Sequence, residues 1–87
     1  MVDDLLDRMR RNPQAGWTIE DVEKLCQQYN VSCEAARGSG SHYRLFGKRL
    51  DHIMTVPSGR SVKPIHIRRV VRFLDLVRFL ELIWHLS

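Results

Sequence analysis

Apolar residues return at helical spacing in three stretches of this 87-residue chain, separated by segments that read as turns and strands. Leu5, Leu6 and Met9 share one face of a short charged segment, residues 3–11, which predicts a helix. Asn12-Pro13-Gln14-Ala15-Gly16 breaks it. Trp17-Thr18-Ile19-Glu20-Asp21 then reads as a second helix start. Thr18 supplies an N-cap, and the acids of the first turn favour the helix dipole. Val22, Leu25, Cys26 and Tyr29 follow on one face, and Asn30 suits the left-handed position that ends a helix. Val31 and Cys33 begin a strand predicted to run up to Arg37. A second strand is predicted over Ser41–Phe46, with Gly47-Lys48-Arg49 as a hairpin turn and Leu50–Val56 as the returning strand.

Pro57 and Ser58-Gly59 close the strand region, and Arg60–Pro64 reads as a basic loop. Pro64 suits the first position of a helix predicted from about Ile65 to about His85. Ile67, Val70, Val71, Leu74 and Val77 form one apolar stripe on it, with Arg68, Arg69 and Arg72 toward another face. Farther along, Phe73, Leu76, Phe79, Leu80, Leu82, Ile83, Trp84 and Leu86 cover most of the circumference. A three-stranded sheet has no room for all of them. A partner chain, a second copy or the N-terminal helix is expected to cover the rest, with a membrane-surface role as another reading. The predicted class is α+β: helix, three antiparallel strands and a long C-terminal helix, with an extra N-terminal helix in front. Both main helices are expected on one sheet face. That α-β-β-β-α order is the layout of double-stranded-RNA-binding domains, one candidate among several small α+β folds.

Length and charge narrow this picture. The size predicts a single domain over 1–87, with its core at about 17–78 and residues 1–16 as a helical extension. Residues 1–30 carry six acids against four bases, whereas Arg37 to Arg72 holds nine bases and one acid, Asp51. That asymmetry points to a polyanion-facing side around a glycine-rich run. The 2 cysteines, Cys26 and Cys33, have neither metal-binding nor redox spacing and are expected to stay reduced. The Met-Val-Asp-Asp opening is unlike a secretory signal, and no run reaches the ~20 apolar residues of a membrane span. The expected location is the cytoplasm.

The densest chemistry lies in Arg37-Gly38-Ser39-Gly40-Ser41-His42-Tyr43. Glycine lets a backbone approach a phosphate closely, hydroxyls and freed N–H groups hold phosphate oxygens, and histidine moves protons near neutral pH. His42 reads either as a structural strand histidine or as a general acid or base on a phosphodiester. The run is not a P-loop, since it lacks the closing Gly-Lys-Ser/Thr and joins two strands. Ser39 and Ser41 have no acid partner that makes a hydrolase nucleophile. Lys63 reads either as an exposed loop lysine or as a stabiliser of developing negative charge. Tyr43 either stacks on a base or faces the core, and Trp17 and Trp84 read as core or interface. His52 is placed on the opposing strand, near Arg44 or His42. His66 falls in the first turn of the last helix, and His85 near its end. No histidine pair has metal-ligand spacing, and neither metal nor cofactor is expected.

Several segments together resemble the HicA family of bacterial toxins, the mRNA interferases of HicA–HicB type II toxin-antitoxin systems. They are Asn12-Pro13, Trp17-Thr18-Ile19-Glu20-Asp21-Val22, Arg37-Gly38-Ser39-Gly40-Ser41-His42, Met54-Thr55-Val56-Pro57, and Val62-Lys63-Pro64 with Ile67-Arg68. They span about residues 10 to 75. The Gly-Ser-His core is short, but its order with Thr-Val-Pro and Lys-Pro is specific. The chain departs from the family's His-Pro-Asp/Gly-Gly hairpin turn, carrying Phe46-Gly47-Lys48-Arg49 instead. The resemblance implies a double-stranded-RNA-binding-like fold, an RNA-cleaving activity that silences translation, and neutralisation by a HicB-like antitoxin. It maps cleavage to His42 alone; Lys63 matches the family's Lys-Pro and is assigned only a supporting role. With the basic surroundings, the expected RNA contacts are Arg37, Gly38, Ser39, Ser41, Arg44, Lys48, Arg49, Lys63 and Arg68. A non-catalytic RNA-binding or protein-interaction module of the same fold is the alternative, and a homo-oligomer through the C-terminal helix is a further partner expectation.

Overall fold

The computed structural model describes residues 4–35, 41–47 and 53–86, and the side chains up to Trp84. Three helices and three strands follow one another as α1 (Leu5–Arg11), α2 (Ile19–Gln28), β1 (Val31–Ala35), β2 (His42–Gly47), β3 (Ile53–Pro57) and α3 (Pro64–Leu86). Local signals start and stop these elements. Asp4 caps α1, its carboxylate accepting from Leu6 N at 3.2 Å. Gly16 turns the chain after α1 at φ 77, a conformation in which any side chain is strained. Thr18 caps α2 in a reciprocal box: its Oγ1 accepts from Asp21 N, and its own N donates to the Asp21 carboxylate at 2.9 Å. Asn30, at φ 56, occupies the left-handed position and turns α2 into β1.

The strands form one antiparallel sheet in the order β1-β2-β3. Cys33 lies opposite Leu45 and Glu34 opposite Arg44. Across the other ladder, Leu45 faces Met54 and His42 faces Pro57. Gly47 belongs to β2, and β3 ends on Pro57, one residue later than the pattern predicts. Alternation decides which side of the sheet is covered. Val31, Leu45, Met54 and Val56 point into the core, while Ser32, Glu34, His42, Arg44 and Thr55 are exposed on the opposite face. The helices therefore lie on one face of the sheet.

On that face α2 packs on β1, α3 packs on β3, and α1 packs on α3. The expected stripe Ile67, Val70, Val71, Leu74 and Val77 is buried, and Leu5, Leu6 and Met9 of α1 join the same core. Phe73 is also buried, so it belongs to this inward face rather than to the surplus. Arg10 of α1 grips Asp75 of α3 with two bonds, 2.5 and 2.7 Å, and holds that carboxyl below its ordinary value. Even with α1 in place, Leu76, Phe79, Leu82, Ile83 and Trp84 remain exposed. Trp17 is buried, its indole N–H donating to Asn12 O at 2.8 Å and Arg8 lying over its ring. Cys26 and Cys33 are free thiols. Their mutual hydrogen bond, helped by burial, pushes the Cys26 thiol up, and the same bond holds Cys33 down. Among the described residues no helix is long and apolar enough to cross a membrane.

Candidate functional site

The chemistry-bearing residues converge at the end of the sheet where β2 begins and β3 finishes. Ser58 N donates to Ser41 O at 2.7 Å, fastening the residue after β3 to the residue before β2. Ser58 is buried there, and its hydroxyl donates to Gly59 O at 3.3 Å. The loop then runs to α3, and Val62 N donates to Trp17 O at 2.7 Å. The Val62 side chain is buried, so the loop is held by the core as well as by this bond. Lys63 O accepts from His66 N at 2.9 Å and Ile67 N at 3.0 Å, which sets the first turn of α3.

Between these segments lies a hollow of about 240 Å³, lined by Ser41, Pro57, Ser58, Gly59, Ser61, Lys63 and His66. Its walls carry the hydroxyls of Ser41, Ser58 and Ser61, the Ser58 one already donating to Gly59 O, with one ammonium and one imidazole. Sites for drug-sized ligands start at about 300 Å³, so this one suits a single anionic group better than a multi-ring molecule. His42, the first residue of β2 and directly across from Pro57, follows Ser41 in the chain and is not among the lining residues. Ser41 Oγ and His42 Nδ1 are 3.3 Å apart, within hydrogen-bond reach. His66 Nδ1 is buried and has no hydrogen-bond partner.

The hollow thus brings together two residues expected from the sequence, Ser41 and Lys63, and His42 adjoins it only through Ser41. Arg44 lies two residues beyond His42 on the same exposed sheet face, where its guanidinium is 3.8 Å from Glu34. Arg68 is exposed on α3 and does not line the hollow. Tyr43 packs against the core rather than standing on the open face. Arg37, Gly38, Ser39, Lys48, Arg49 and His52 lie outside the described residues. Opposite His42 and Arg44 the register places Pro57 and Thr55. Ser58, Ser61 and Gly59 were not anticipated as site residues. Their signal was the hydroxyl-rich run Ser58-Gly59-Arg60-Ser61 just before Lys63, which reads as an ordinary loop until the register places it beside Ser41.

A second hollow, of about 370 Å³, is lined by Met54, Arg69, Arg72, Phe73 and Leu76 along β3 and α3. It is mostly apolar with two guanidinium groups in its walls, and it holds none of the expected site residues. No protein-family model, curated protein or solved structure matches the chain, so its chemistry is read from its own residues.

Proposed function

We propose that this protein is a small endoribonuclease of the HicA kind, an mRNA interferase that works without metal or cofactor and is neutralised by a HicB-like antitoxin. The observation that carries the proposal is a hollow lined by Ser41, Ser58, Ser61 and Lys63, with His42 Nδ1 3.3 Å from the hydroxyl of Ser41. Hydroxyls and an ammonium are what a phosphodiester needs, and a histidine beside them is placed to move a proton. The α-β-β-β-α order with helices on one sheet face supports a double-stranded-RNA-binding-like assignment. The basic run from Arg37 to Arg72 supplies attraction for a polyanion.

In the proposed reaction the RNA backbone lies along this end of the sheet with one phosphate in the hollow. His42 takes the proton of the adjacent ribose 2′-hydroxyl. The 2′-oxygen attacks phosphorus while Lys63 offsets the charge that develops on the phosphorane oxygens. The bond from phosphorus to the 5′-oxygen breaks and water protonates the departing oxygen, leaving a 2′,3′-cyclic phosphate on one fragment and a 5′-hydroxyl on the other. RNA incubated with purified protein in EDTA is expected to be cut, and His42→Ala is expected to slow cutting about 100- to 10,000-fold. A gel in which the variant matches the wild-type rate would remove His42 from the mechanism.

The exposed apolar end of α3 favours a second reading, an RNA-binding or protein-interaction module without catalysis. On that reading the same gel shows intact RNA, retained by the protein at low salt and released as salt rises.

A further inference from the structure

We infer that the open edge of β3, with the arginine-flanked hollow beside it, is a docking site for an extended acidic segment of a partner protein, which adds to the sheet as a further strand. The inference stands apart from the ribonuclease reading, because this hollow shares no lining residue with the serine-rich one.

Strand order makes β3 an edge: among the described residues only β2 pairs with it. The ladder also fixes which backbone groups face outward. Ser58 N donates to Ser41 O at 2.7 Å, and these two residues extend the register that sets His42 opposite Pro57. Bonded and non-bonded pairs alternate along an antiparallel ladder, so Tyr43 with Val56 and Leu45 with Met54 are bonded pairs. Pro57, having no N–H, falls on a non-bonded pair, as that alternation demands. Ile53 and Thr55 therefore turn their N–H and C=O groups away from β2, toward the open edge. A strand laid there meets a donor and an acceptor from each.

Side chains decide what such a strand carries. Met54 points to the helix side of the sheet, where Arg69, Arg72, Phe73 and Leu76 of α3 complete a hollow of about 370 Å³. Met54 and Phe73 are buried, and Leu76 is exposed. Arg69 and Arg72 are exposed too, and among the described residues neither makes an ion pair and no acid lines the hollow. Every second side chain of an added strand faces this side. One apolar side chain fits against Met54, Phe73 and Leu76, and carboxylates flanking it meet the two guanidinium groups. Two other occupants fit less well. A second copy pairing β3 with β3 about a two-fold axis sets the arginines of both copies against one another. RNA finds cations here but no exposed ring to stack on, since Phe73 is buried.

The test selects binders of the purified protein from a random library of short displayed peptides, which are then synthesised and measured by fluorescence anisotropy. The selected peptides are expected to carry an apolar residue and acids at every second position, and to bind more weakly as salt rises. Arg69→Glu combined with Arg72→Glu, both at exposed positions, should weaken binding about tenfold or more. Hydrogen exchange at the Ile53 and Thr55 amides should slow on binding. Methylating the alternate peptide nitrogens that face β3 should abolish binding, and methylating the other set should leave it. A library without binders, binders without acids, binding unchanged in the double variant, or exchange at Ile53 and Thr55 unaltered by the peptide each overturns the inference. So does a double variant that loses RNA binding or self-association in place of peptide binding. RNA cleavage is not read in this test, so its presence or absence leaves the result standing.

Discussion

Asp4 and Tyr29 show how single residues set the acid sensitivity of the fold. The Asp4 carboxylate caps α1 and accepts a short hydrogen bond from the Tyr29 hydroxyl. That bond from Tyr29, aided by backbone amides and Arg78 against the opposing effect of burial, holds Asp4 below its ordinary 3.8. Burial first, and the Asp4 bond second, push Tyr29 up to about 12. The signs follow from linkage. A depressed carboxyl stabilises the fold above its unfolded value and loses that contribution as pH falls through the folded one. A raised tyrosine stabilises below about 10, its unfolded value, and loses the contribution as pH climbs through about 12. Tyr29→Phe is expected to cost about 1 kcal/mol in urea unfolding at neutral pH. The gap to wild type should shrink as pH falls below the ordinary carboxyl value of 3.8 and through the lowered folded one. A gap constant across that range would show that Tyr29 does not act through Asp4. Residues of the site differ in how far the sequence discloses them. His42 and Lys63 stand out because their types and neighbours are suggestive locally. The hydroxyls of Ser58 and Ser61 do not, because only the β2–β3 register carries them to Ser41.

Among the elements, α2 was the most legible, since Thr18, Asp21 and Asn30 mark both its ends. The start of α3 was equally clear from Pro64, but its later faces were not. Apolar residues crowd the whole circumference there, so periodicity alone does not tell the inward row from the outward one. Phe73 lies three residues after Val70 and shares its side, at 6% exposure, whereas Phe79 is 57% exposed. The two phenylalanines should therefore respond differently to truncation. Phe73→Ala is expected to cost about 3–5 kcal/mol, and Phe79→Ala to stay within about 0.5 kcal/mol of wild type. Denaturant melts of both variants check this. A large loss at Phe79 would mean that the far end of α3 is covered in solution.

At the scale of the molecule, the α+β class and strand order follow from the sequence, because turn residues separate the strands, Thr18 caps α2 and Pro64 opens α3. What pattern does not provide is the convergence of distant segments: Ser58 on Ser41, Val62 on Trp17, Arg10 on Asp75. Those contacts make the hollow a property of the finished tertiary structure rather than of any motif. The bond from Val62 to Trp17 thereby acquires a meaning in time. A ribosome making this protein produces the glycine run and His42 well before α3, yet the wall bearing His66 and the buried row Ile67, Val70 and Leu74 do not exist until α3 has been synthesised. A nascent chain halted before Pro64 should leave RNA intact, whereas one extended past Leu86 and clear of the ribosome should cut it. Stalled complexes of both lengths, assayed on one labelled RNA, distinguish the two, and cutting by the shorter chain would show that β2 and its histidine suffice. On the proposed function, such a chain spares the very message and ribosome that are making it.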